Sequence, residues 1–127
     1  MHRLGMALTG QPRFIYCSSR DCYRFFGGGN ESAISYPYLG TLIAENSWQL
    51  YITQHELVHW YQFQQLGAWQ TMRLPEWFRE GMAYHFSGAP VTDIPRYYDA
   101  GLEIFRTYLQ KLTAAEVLIK AQQSPPR

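Results

Sequence analysis

Apolar and polar positions along this chain change period about a third of the way through. Residues 12–17 (Pro-Arg-Phe-Ile-Tyr-Cys) are rich in β-formers and entered through a proline, which predicts a first strand. Ser18 or Ser19 then caps a short predicted helix over 20–26, which the glycine run at 27–29 and Asn30 close as a flexible turn. Two more strands are predicted over 33–38 and 41–45, with Leu39-Gly40 as their hairpin turn. From there the pattern is helical. Asn46 or Ser47 offers an N-cap for a long helix to about Leu66, with Gly67 as its C-cap. A second helix enters at Pro75 and runs to about Phe86. A third starts near Thr92 or Asp93, before Pro95, and reaches about Leu112; Thr113 caps a short fourth. Strands followed by helices predict an α+β fold, a small, mostly antiparallel sheet packed on the long helix with the other helices closing the far side. At 127 residues one domain is expected, with 1–10 and 122–127 loose at its ends.

Composition narrows the function classes. Ten Tyr, seven Phe and four Trp with few charges suit a compact protein with an apolar cleft and argue against disorder. The net charge of +1 and the lack of any Lys/Arg run argue against nucleic-acid binding. No apolar stretch reaches membrane-spanning length, and the first eight residues are too short and too weakly apolar for a secretory signal, which favours the cytoplasm. Cys17 and Cys22 are compatible with reduced thiols, a disulfide or half of a metal site, with reduced thiols preferred.

The chemistry lies in His55-Glu56-Leu57-Val58-His59, inside the long helix. Residues four apart stand one above the other on a helix, so both imidazoles can reach one ion. Glu56 lies about 100° round the helix and can approach a metal-bound water without binding the metal. By chance the pattern arises about once in 150 such chains, so the surroundings matter. Glu56 is the only formally charged residue between Glu45 and Arg73, in a helix with apolar residues on nearly every side. A lone carboxylate there is costly unless a cation compensates it. Two histidines leave zinc a ligand short. A metzincin extension is excluded, because Gln62 and Gln65 stand where Gly and His are needed. In the next helix Glu76 and Glu80 share a face with Tyr84. Glu76 suits the first-turn dipole, which leaves Glu80 as the preferred third ligand ahead of Glu76 and His85. Gly81 is expected to let the two helices approach closely.

His-Glu-x-x-His followed by Pro75-Glu76-Trp77-Phe78-Arg79-Glu80-Gly81-Met82-Ala83 resembles the gluzincin peptidases, in particular the minigluzincin and peptidase MA-like domains. The resemblance spans roughly 14–88 and implies a zincin-like fold, with Glu80 as the third zinc ligand. His85 stands where members of that family often carry a tyrosine, and Tyr84 precedes it. The expected reaction is peptide-bond hydrolysis. Zinc on His55, His59 and Glu80 lowers the pKa of its water from about 15.7 toward about 7. Glu56 takes the proton and returns it to the leaving amine. Tyr84, His85, Tyr97 and Tyr98 are candidate oxyanion donors. The resemblance further implies a peptide or protein substrate, extended along an edge strand near Thr41 to Glu45. Two other readings compete: a zinc-containing domain of the same fold that binds without catalysing, and an apo helical domain whose histidines are merely core. A terminal segment, such as 122–127, is a candidate cover for the cleft.

Overall fold

The structure, a computed structural model, describes residues 12–36, 39–96, 99–109 and 112–126. Tyr97 and Tyr98, two candidate donors, lie outside the described residues, as do Pro37 and Tyr38 of the expected second strand and 1–10 at the start. Among the described residues three strands and five α-helices follow in order: β1 (Phe14–Tyr16), α1 (Arg20–Phe25), β2 (Ala33–Tyr36), β3 (Gly40–Ile43), α2 (Leu50–Arg73), α3 (Glu76–Ser87), α4 (Asp99–Leu109) and α5 (Ala114–Gln123). The fold is α+β. No helix among the described residues is long and apolar enough to cross a membrane.

The sheet order is β1-β3-β2. β2 and β3 form an antiparallel hairpin in the register Ala33↔Ile43 to Tyr36↔Gly40. β1 pairs parallel with β3, so the sheet is mixed rather than mostly antiparallel. The reason is the connection: α1 and β2 intervene between β1 and β3 and give the chain length enough to return in the same direction. Cys17, just past β1, and Cys22, inside α1, are joined by a disulfide with Cα atoms 5.5 Å apart. This corrects the preference for reduced thiols: a spacing of five residues says nothing about whether Cβ vectors meet, which depends on how α1 folds back on β1. Ser19 caps α1 by accepting a hydrogen bond from the Cys22 amide.

Helix α2 starts later than Asn46 or Ser47. Asn46 takes a positive φ of 63° in a turn in which the Ser47 amide donates to the Ala44 carbonyl, and Gln49 is the N-cap. Gly67, at φ 79° and ψ 162°, breaks the helix where a C-cap is expected, but the chain resumes helical turns to Arg73. The third expected helix is also displaced. Residues 91–93 form a single 3₁₀ turn and α4 begins at Asp99, because Pro95 disfavours helical geometry at Ile94, which is buried beside Leu102 instead. Thr113 and Glu116 form a reciprocal capping box at α5.

Packing divides the molecule in two. The main core joins α2 to α5 through Val58, Phe78, Met82, Phe105, Val117 and their neighbours. A smaller cluster, Cys17, Tyr23, Leu42 and Ala44, sits under the sheet. Gly81 permits a close approach, but of α3 and α4, not of α2 and α3. A Cβ at Gly81 would come within 2.7 Å of Phe105 Cβ. Pro125 and Pro126 line a hollow with Leu66, Arg73 and Pro75, eleven or more residues along α2 from His55.

Candidate metal centre

Helical spacing brings the imidazoles of His55 and His59 to the same face of α2, with their Nε2 atoms 3.1 Å apart. Glu80, on the first half of α3, reaches between them. Its Oε2 lies 3.1 Å from His55 Nε2 and 2.8 Å from His59 Nε2. The three expected ligand atoms thus form a triangle with edges of 2.8 to 3.1 Å. Two imidazole nitrogens and a carboxylate oxygen so placed can hold a metal ion. Glu76, by contrast, is exposed in the first turn of α3, where an acid favours the helix dipole.

The electrostatics fit a cation. Burial alone would favour the neutral acid of Glu80, but hydrogen bonds from His55 and His59 outweigh it and hold the carboxyl well below its usual range. Burial likewise opposes charge on His59, yet the carboxylates of Glu80 and Glu56 and the amide oxygen of Gln62 raise its imidazole to about 9. A divalent ion would take over the compensation that the His59 proton supplies among protein groups alone.

Glu56 is only 7% exposed, and Ser35 Oγ on β2 donates to its Oε2 at 2.6 Å. Thr41 Oγ1 on β3 is 2.9 Å from Ser35 Oγ. Ser35 spends its single proton on Glu56, so Thr41 is the donor to Ser35, and a two-step hydroxyl chain anchors the carboxylate to the sheet. Glu56 lines a cleft of about 400 Å³ together with His55, Glu80, Tyr84 and Tyr51. A larger open depression of about 600 Å³, between Cys17, Glu45 and Trp48, contains none of these groups.

Tyr84 and His85 part company. Tyr84, one turn beyond Glu80, sets its ring edge-on against His55 with centroids 4.6 Å apart. His85 lies about 100° further round α3. There it packs on Phe86 and Phe105, and its Nδ1 accepts from Arg106 Nε at 3.4 Å. Burial and the Arg106 charge push its imidazole below the usual histidine range. His85 is therefore removed from the candidate oxyanion donors and from the candidate ligands. The expected edge near Thr41 to Glu45 is corrected as well. β3 is the central strand, bonded to β1 on one side and β2 on the other, so it has no edge to offer.

Ser35 and Gln62 escape a reading of the sequence. Ser35 is an ordinary polar residue in a strand, and its role exists only once β2 crosses α2. Gln62 carried a usable signal: it stands three residues after His59 on the same helical face, in a helix otherwise rich in apolar side chains. No family model, curated protein or solved structure matches this chain.

Proposed function

We propose that this chain is a zinc-dependent peptidase of gluzincin type with a zincin-like fold. The observation that carries the reading is the convergence of His55 Nε2, His59 Nε2 and Glu80 Oε2 within 3.1 Å of one another. Ligand atoms about 2.0–2.1 Å from a tetrahedral zinc ion lie about 3.3 Å apart, close to these edges, and a His₂Glu set is a known catalytic ligand set for zinc. When bound there, zinc would polarise a substrate carbonyl and acidify water toward about pKa 7.

The remaining groups have roles that follow from their places. Glu56, anchored through Oε2 by Ser35, keeps Oε1 to accept a proton from water and hand it to the leaving amine. Tyr84, packed on His55 at the wall of the cleft, is the candidate donor to the developing oxyanion. An extended peptide would pair with β2, which among the described residues has β3 on one side only and carries Ser35 beside the base.

Zinc stoichiometry tests the reading first. Wild type purified without added metal and then loaded should hold one ion per chain; His55→Ala and Glu80→Ala should each hold less than about a tenth of one. Peptide-library cleavage by wild type should be lost in Glu56→Gln while its zinc stays in place. An empty wild type sinks the metal reading. Cleavage that survives Glu56→Gln sinks the base assignment, and zinc without cleavage in either protein points to a binding module instead.

A further inference from the structure

Gln62 has no exposed surface, yet it is not a packing residue alone. Its Nε2 lies 3.1 Å from the Arg79 carbonyl and 3.3 Å from Met82 Sδ, both on α3. Its Oε1 lies 3.0 Å from His59 Nδ1. A carbonyl oxygen can only accept, so the Arg79 contact fixes which end of the Gln62 amide is nitrogen. The oxygen must then face His59, and Nδ1 must be the atom that donates to it. In the neutral imidazole that a metal binds, this leaves the lone pair of His59 on Nε2, the atom 2.8 Å from Glu80 Oε2. Gln62 is itself held from behind: Thr71 Oγ1, also fully buried, donates to its backbone carbonyl at 3.0 Å.

We propose that Gln62 is a positioning residue of the metal centre. It holds His59 in the Nδ1–H form with Nε2 aimed at the ion, and it clips α2 to α3 at the residue just before the ligand Glu80. This rests on the reading of His55, His59 and Glu80 as zinc ligands. The logic is that of an outer partner to a metal-bound imidazole: a fixed acceptor on one ring nitrogen orients the ring and strengthens the other nitrogen as a ligand. An uncharged acceptor serves here because the site already holds the carboxylates of Glu56 and Glu80.

The test compares zinc affinity, by competition with a chromophoric chelator, in wild type, Gln62→Met and Gln62→Glu. Methionine nearly preserves volume but offers no oxygen, and it should weaken zinc about 10- to 100-fold. Glutamate keeps an acceptor for Nδ1–H and, with its carboxyl proton on the oxygen that faces the Arg79 carbonyl, keeps the donor as well, so it should recover most of that loss. Long-range ¹H–¹⁵N correlation on the cadmium-loaded wild type should show His59 protonated at Nδ1 and bound through Nε2. Gln62→Met within twofold of wild type overturns the proposal, and so does an equal loss in both variants, which is what mere packing predicts. If Gln62→Met fails to fold, the wild-type spectrum decides alone: a proton on Nε2 of His59 overturns it. A wild type that takes no zinc sinks the ligand assignment and this proposal together, whereas normal zinc binding with an indifferent Gln62→Met sinks this proposal alone.

Discussion

Helices α2 to α5 close on one another through a continuous apolar cluster that includes Val58, Phe78, Met82 and Phe105, whereas the sheet and α1 share a smaller one of Cys17, Tyr23, Leu42 and Ala44, with Cys22 and Ile34 packed against it. The helical half is held by area removed from water, with aromatic rings meeting edge to face: Phe78 against Phe105 at 5.5 Å and against Tyr108 at 5.4 Å. The sheet half is too small for that and adds a covalent bond, Cys17–Cys22, and an ion pair, Arg20–Glu45 at 2.8 Å. Polar contacts help to join the halves, beside the edge-to-face rings of Tyr16 and Trp48. Tyr16 Oη meets Thr53 Oγ1 at 2.9 Å, Trp48 Nε1 donates to the Cys17 carbonyl at 3.2 Å, and Ser35 donates to Glu56. The candidate centre lies along this seam. Its three metal-ligand candidates all belong to the helical half, while the carboxylate assigned to move protons is anchored by the sheet. Chemistry with water needs a wet, polar boundary, and the ligands need rigid supports; a seam beside a dry core offers both.

Three experiments can break or sharpen that division. The largest effect is expected from Phe105→Ala, which empties the middle of the helical core: unfolding should cost about 3–5 kcal/mol less than in wild type, read as a lower urea midpoint at unchanged slope. A loss under about 1 kcal/mol would show that the helical half does not carry the stability. Next is the disulfide. Replacing Cys17 and Cys22 together by Ala should cost about 2 kcal/mol, from a short loop released in the unfolded chain. Zinc stoichiometry should stay at the wild-type value, and its loss would mean that the sheet half shapes the ligand triangle after all. The smallest effect belongs to Ser35→Ala, about 1.5 kcal/mol. That is the lower end for a hydrogen bond to a charged group, because Glu56 also faces the cleft. Zinc should remain bound while peptide cleavage falls. Release of the ion by Ser35→Ala would merge the two roles that the seam separates.

Local signals were readable wherever a single element carries them. Ser19 and Thr113 cap helices as their chemistry dictates, and Gly67 takes a positive φ of 79° where the long helix was expected to close. The i, i+4 histidines were legible because helical spacing alone puts them on one face, whereas Glu80 rested on the choice against Glu76 and on the family resemblance. The misses share a cause. The start of α2 moved because Asn46 and Ser47 were recruited into a turn after β3, and α4 moved because Ile94 found a buried place beside Leu102. His85 and Tyr84 are neighbours in sequence and equally suited to the role, yet only packing on α4 decides which of them turns from the cleft.

By itself, the order of residues determined that strands precede helices, that His55, His59 and Glu80 lie on helical faces suited to one ion, and that Glu56 stands alone among apolar neighbours. These are consequences of backbone period and side-chain chemistry, which act over a few residues. Only the tertiary structure decided that β3 is central and, among the described residues, β2 an edge, that Cys17 meets Cys22, that Gly81 serves α4, and that Ser35 and Gln62 flank the centre. Each of those depends on how whole elements cross, a compromise among many contacts that no local pattern encodes.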